Sequence, residues 1–282
     1  MSVLPPHIQA LVDQAIAFET AGDMYNAIKL LKRVVRLAPD DPFAYFQLGQ
    51  IYKLRQEWKP ALYYNKRAIS LEPTNRQAWW NVALAATALK KWRIADRTWS
   101  KFDPRIKADE LLCVRCHWAG QFELLWVKPI DPARGLIQCI PHPQSDRRYS
   151  DLILFDNKIV GYNIIHHKKI PVFDELGVLK RSAYQTFSCM LHTDEDKLIR
   201  LLEQLCEGAE IGFEVWSNTT WVMPAQPAKA LPEYYGKDWM AAAPAGNTTV
   251  AFAAQKEADI TLLLQNWKVI SLSGHNPLIR HH

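Results

Sequence analysis

The chain has 282 residues, 49% of them hydrophobic and 22% charged, which gives material for about two packed domains at roughly 100–200 residues each. Eleven Gly against 17 Pro, with no low-complexity tract, exclude a disordered or collagen-like polypeptide. The formal charge of +5 is unevenly placed: residues 1–102 carry +7 (15 Lys and Arg against 8 Asp and Glu) and residues 103–282 carry −2 (19 against 21).

The segment MSVLPPHIQALVDQ at the start has no basic n-region, apolar h-region or small-residue cleavage site, so export by a standard signal peptide is not expected. No uncharged apolar run approaches about 18 residues, which predicts no membrane span and no membrane partner. The five cysteines then read as reduced thiols of a cytoplasmic protein rather than a disulfide framework.

A period of 34 residues organises the first hundred positions. Gly49, Ala61, Ala68 and Pro73 are matched one unit earlier by Ala15, Ala27, Val34 and Pro39. One unit later they become Ala83, Ala95 and Phe102, with Lys107 where a proline was due. Small residues let two antiparallel helices cross closely, and Leu11, Tyr45 and Trp79 fill one equivalent space between them. Pro39 and Pro73 stop each second helix, because proline has no N–H to donate. Gly22-Asp23 and Gln56-Glu57 make the turns within units.

This pattern, above all YFQLGQIYKLRQEWKPALYYNKRAISLEP at 45–73, resembles the tetratricopeptide repeat family over about residues 8–102. The resemblance implies an α-α superhelix of about three units that serves protein interaction, with the first helix of each unit lining a concave groove. It places Val12, Ile16, Phe43, Phe46, Gln50, Lys53, Gln77, Trp80 and Leu84 in that groove. The lining is apolar and aromatic, so the expected occupant is an apolar helix or peptide, from a protein partner or from the chain's own C-terminal part. Members that clamp acidic chaperone tails carry Lys, Asn, Asn, Lys and Arg where this chain has Val12, Ile16, Gln47, Gln77 and Asn81, so no such clamp is expected. Asn65 departs from the family by standing where a bulky residue is usual. A terminal repeat needs a cap, and Asp103-Pro104 opens a short helix over 104–112.

Cations cluster on the second helices: Lys29, Lys32, Arg33 and Arg36 share one face, and Arg93, Arg97 and Lys101 recur at i, i+4 and i+8. Such clusters beside aromatics are the footprint nucleic acid needs, but a charge stripe on a convex side is ordinarily just solvated. Nucleic acid is not the expected partner.

Beyond residue 112 the texture becomes short apolar runs between turns: QFELLWV, GLIQCI, SDLILF, KIVGYNII and AYQTFSCML, with turns at Asp131-Pro132, Pro141 to Pro143 and Asp156-Asn157. These predict a small antiparallel sheet or barrel. Then AYQTFSCML, TDEDKLIRLLEQLC and EIGFEVW give strand, helix, strand, and NTTVAFAA, KEADITLLLQNW and KVISLS repeat the order. Two such units predict a ferredoxin-like βαββαβ arrangement, joined by a linker at 223–246 that holds Tyr234, Tyr235 and Trp239. The expected architecture is a multidomain α + β chain: a helical repeat domain at 1–110, a β-rich subdomain at 111–178 and the ferredoxin-like domain at 179–282.

Cys113, Cys116, Cys139 and His142 form a C-x2-C and C-x2-H set of the type that holds zinc in a tetrahedron; buried free thiols are the plainer expectation, and no cofactor is assigned. Cys189 and His192 lack an orienting partner for nucleophilic chemistry. No phosphate loop, nucleophile elbow or metalloprotease helix appears. The expected function is therefore a non-catalytic interaction adaptor. A small-molecule sensor built on the C-terminal domain is the alternative.

Overall fold

The computed structural model describes residues 4–102, 110–165, 167–218, 223–224, 232–235 and 245–281. The chain divides into two compact units, Met1–Arg105 and Ile106–His282. Among the described residues no helix is long and apolar enough to cross a membrane.

The first unit is six helices: α1 (Pro6–Thr20), α2 (Met24–Leu37), α3 (Pro42–Leu54), α4 (Trp58–Leu71), α5 (Arg76–Ala88) and α6 (Trp92–Trp99). Side chains set where several of them start. Asp23 accepts from Asn26 N, Asp41 from Phe43 N and Ala44 N, and Asn75 from Ala78 N, which satisfies donors that a helix N-terminus leaves over. The small residues expected at the crossings, Ala27, Ala61, Ala68 and Ala83, are fully buried. Of the capping helix expected over 104–112, residues 104–109 lie outside the described residues, and Leu112 already belongs to a strand.

Each helix pair turns in the same way. Asp23 N donates to Phe18 O, Glu57 N to Tyr52 O and Lys91 N to Ala86 O, all at 2.8 Å. This six-residue closure forces the residue before each donor into the left-handed region, with φ of 81° at Gly22, 57° at Gln56 and 55° at Lys90. Only the first is glycine, and a side chain in that region costs about 1 kcal/mol. Gln56→Gly and Lys90→Gly are each expected to raise stability by about 0.5–1 kcal/mol in urea unfolding; a loss at either site would mean that side-chain contacts outweigh backbone strain there.

The second unit begins with β1 (Leu112–Trp118), β2 (Gln121–Asp131), β3 (Arg134–Ile137), β4 (Leu152–Ile165) and β5 (Lys168–Lys180). These five close into a ring in which successive strands pair antiparallel and β5 returns parallel to β1. An odd number of strands in an up-and-down ring requires one parallel pair. Inside lie Val114, Leu125, Val127, Ile137, Ile153 and Phe155, from alternate positions of each strand. Strands β8 (Met223–Pro224) and β9 (Glu233–Tyr235) add to β2 and β4.

The remaining elements are β6 (Gln185–Leu191), α7 (Asp196–Gly208), β7 (Gly212–Val215), β10 (Thr248–Ala254), α8 (Glu257–Ser271) and β11 (Ile279–Arg280). Their strands form an antiparallel sheet in the order β11-β6-β10-β7. One face, with Phe187, Val250 and Phe252, packs under Leu202, Cys206, Leu264 and Trp267 of the two helices. The other carries Ala251 and Ala253 against Ile140 and Trp216.

Three details correct the sequence expectation. Asp156-Asn157 is not a turn: β4 runs through it, and its pairing with β5 shifts register between Asp156 and Gly161. The KVISLS segment is not a strand but carries α8 on to Ser271, and the pairing with β6 is made at Ile279 and Arg280. Strands β1 and β5 fall in the β-rich stretch expected over 111–178, but none of the apolar runs named in the sequence marks them, and β5 runs on to Lys180.

Candidate binding groove

The first helices α1, α3 and α5 carry the residues assigned to the groove. Ile16 is 38% exposed, Gln77 is exposed, and Phe43, Phe46, Gln50, Lys53 and Trp80 are half-buried. Val12 and Leu84 are buried, so they act as packing rather than as accessible lining.

A buried amide network joins α3, α4 and α5. Asn81 Nδ2 donates to Gln50 Oε1 at 2.8 Å and to Asn65 Oδ1 at 3.2 Å, while Lys53 Nζ donates to Asn81 Oδ1 at 3.3 Å. Asn65 Nδ2 in turn donates to Ala61 O at 2.8 Å. Both asparagines are essentially inaccessible, and buried polar groups persist only when so paired. The network explains the family departure at Asn65: a Cβ on Gly49 would lie 2.3 Å from its Nδ2, so Asn65 fills the space beside that glycine. It also orients Gln50 and Lys53, two residues of the assigned groove.

Trp80 meets other aromatics of its own repeat. It packs edge-on against Trp99 at 4.8 Å and Phe102 at 5.2 Å, and Trp99 Nε1 donates to Thr87 Oγ1 at 3.0 Å. The third unit thus closes its end with three rings. Phe46 packs beside the cluster of Tyr45, Ala68 and Ala78.

The four candidate zinc ligands are not gathered into one set. Cys113 and Cys116 are three apart in β1 and so lie on opposite faces; the Cys113 thiol accepts from Asn163 Nδ2, and Cys116 belongs to the ring interior. The Cys139 thiol accepts from Trp126 N, and His142 stacks on Trp118 while its Nδ1 accepts from Gln144 N. Burial pushes the Cys113 thiol up to about 12 and also raises Cys116 and Cys139. Among the described residues no group of three or more His, Cys, Asp or Glu is placed to hold a metal ion. Cys189 is buried in the second sheet's core with its thiol pushed up to about 12, and His192 is exposed and bonded to Asn276. Helix α7 begins at Asp196, with Glu195 in the N-cap position. Of the linker at 223–246, Trp239 lies outside the described residues.

Sequence reasoning missed a pair of carboxylates, Glu123 buried and Glu214 half-buried. Glu123 on β2 and Glu214 on β7 hold the same turn: Glu123 Oε2 accepts from His142 N at 3.0 Å and Glu214 Oε2 from Ile140 N at 2.7 Å. Burial pushes Glu123 up to about 8 and Glu214 up to about 7. Glu123 Oε1 has no hydrogen-bond partner among the described residues. The signal was legible, since Glu123 alternates in QFELLWV with the inward Leu125 and Val127.

No protein-family model matches the chain. Human tetratricopeptide repeat protein 6 is 31% identical over 81 residues, which cover 29% of this chain and 16% of that protein, so the chain spans about a sixth of its relative's length. Among solved structures, MamA aligns at 23% identity and a TM-score of 0.32 over 33% of this chain and 55% of that one. Yeast Tom70 aligns at 24% identity and 0.32 over 34% and 19%. The second TPR of Spaghetti (RPAP3), bound to HSP90 peptide SRMEEVD, aligns at 19% and 0.32 over 34% and 88%. The 34-residue register, the six paired helices and the human relative make the N-terminal part of this chain a tetratricopeptide-like repeat region.

Proposed function

We propose that the chain is a non-catalytic interaction protein whose repeat groove takes a peptide segment of a protein partner. The observation that carries this is the half-exposed apolar row on the first helices, Ile16, Phe43 and Phe46, set beside Gln50 and Lys53, whose positions the Asn81 amide fixes. Apolar side chains of the peptide meet the row, and its carbonyl or carboxylate oxygens meet the amide and the ammonium. Such mixed surfaces take extended or helical segments. The second unit supplies a ferredoxin-like α + β part beside a five-stranded ring; the order β11-β6-β10-β7 supports the ferredoxin-like assignment.

Panning the intact protein against a displayed library of random 12-residue peptides tests the groove. Phe46→Glu is expected to lower capture of the selected peptides at least tenfold, with the helical circular dichroism unchanged. Equal capture by Phe46→Glu and by a Phe43→Glu variant would remove the groove as the site.

A further inference from the structure

The outer face of the repeats has a charge pattern that the groove does not use. Helices α2, α4 and α6 hold nine Lys and Arg and one acid, Asp96, whereas α1, α3 and α5 hold two cations and two acids. A merely solvated helix face ordinarily intersperses both signs.

The side chains are also in register. On α2, Tyr25, Lys29 and Arg33 form a stripe at i, i+4 and i+8, and on α4 Lys59, Tyr63 and Arg67 do the same. On α6 the stripe is Arg93 and Arg97, with Lys101 just past the helix end. Residues four apart share a helix face, and the three stripes are offset by the 34-residue period, so they make a grid of seven cations and two tyrosines. All nine are exposed, Tyr25 at 72% and Tyr63 at 58%. Among the described residues none of these seven cations is in an ion pair. Arg67 and Lys101, at equivalent positions, rest over the rings of Tyr45 and Trp79 at 5.5 and 4.4 Å, which restrains their charged heads.

We infer that this outer face binds single-stranded nucleic acid, with phosphates on the cations of the grid and bases stacked on Tyr25 and Tyr63. Unneutralised cations track a phosphate backbone, and exposed rings among them accept any base face. A bilayer is disfavoured because the grid offers no aliphatic side chain to insert. An acidic polypeptide would leave the two rings without stacking partners.

The test is fluorescence anisotropy of the full chain with labelled dT20 and U20 from 50 to 300 mM NaCl. Binding is expected to weaken with salt, and Lys29→Ala with Arg33→Ala is expected to flatten the log–log slope by about 1.4, at roughly 0.7 per phosphate contact on a single strand. Tyr63→Ala is expected to weaken binding about tenfold with the slope unchanged. Tyr63 also touches Tyr64 edge-on at 5.0 Å, so Tyr25→Ala provides a second loss of stacking, and Tyr63→Phe should restore affinity. No binding of either oligonucleotide at 50 mM salt would overturn the inference. So would unchanged affinity in both tyrosine-to-alanine variants, or tighter binding of phosphatidylserine vesicles or polyglutamate than of either strand.

Discussion

The melting temperature of the second unit is expected to fall by roughly 10 °C between pH 5 and pH 8.5, and Glu123→Gln is expected to remove most of that fall. Glu123 and Glu214 are pushed up to about 8 and about 7, chiefly because burial penalises their charged forms. A carboxyl raised in the folded state binds its proton more tightly there than in the unfolded chain. Its contribution to stability is therefore fully present below the ordinary value near 4.5 and is lost as pH rises through the folded value. The affected window runs from about pH 4.5 to 8, and at about 1.4 kcal/mol per unit the loss at Glu123 is on the order of 3–5 kcal/mol.

The groups facing this pair reinforce one another. Glu175, within β5, and Cys139 are near neighbours of the pair, and Glu123 and Glu214 each raise the Cys139 thiol. Arg147 offers a counter-charge, but its Nε already donates to Glu175 at 2.7 Å. Ionised together, Glu123 and Glu214 would repel across the turn they both hold. Gln keeps an acceptor for His142 N and carries no charge, so Glu123→Gln should match the parent at pH 5 and exceed it at pH 8.5. A flat profile in the parent, or a parallel one in the variant, would reject the assignment. Asp174 runs the other way: burial opposes its ionisation, yet hydrogen bonds from His117 and a bidentate Arg115 hold it below the usual range. Its share is present above the ordinary aspartate range and is lost only as pH falls below it, so it opposes the carboxyl pair at the acid end alone.

Such pairs show where the sequence spoke and where it was silent. The helical repeats were legible because each signal is local: a small residue at every crossing, Asp41 or Asn75 at a helix start, Pro39 or Pro73 after its end. In the second unit local signals misled. Cys113 and Cys116 drew attention to ligand spacing, although C-V-R-C-H is also a strand with alternate residues inward. Pro171 and Gly177 masked β5, whose place is set by pairing with β4 and β1 rather than by propensity. KVISLS alternates like a strand, but the apolar series Ile260, Leu263, Leu264 and Trp267 has already committed the segment to a helix, leaving Val269 and Ile270 exposed. Asn65 stands out in the sequence as a departure from the family, but its partner Asn81, 16 residues on, is matched to it only in three dimensions.

That pairing leads to the largest effect expected in the repeat unit. A methyl on Gly49 would sit 2.3 Å from Asn65 Nδ2 and 2.5 Å from its Cγ, well inside contact distance. Asn65 cannot simply swing away, because its amide is tied to Ala61 O and to Asn81 Nδ2, and Asn81 also carries the bonds to Gln50 and Lys53. Gly49→Ala thus either strains α3 away from α4 or breaks the network and leaves buried amide groups unpaired. Overpacking costs about 1–3 kcal/mol and each orphaned polar group about 1–3 kcal/mol, so a loss of about 3 kcal/mol is expected in urea unfolding. Asn65→Ala alone should cost about 1–2 kcal/mol through the lost bonds, yet the double variant Gly49→Ala/Asn65→Ala should be more stable than Gly49→Ala, since the added methyl then occupies the space the amide vacates. Additive losses in this cycle would mean that the two positions do not share that space. A rescue would show that Asn65 is held by Gly49, and that the polar side of the groove is built from the core outward.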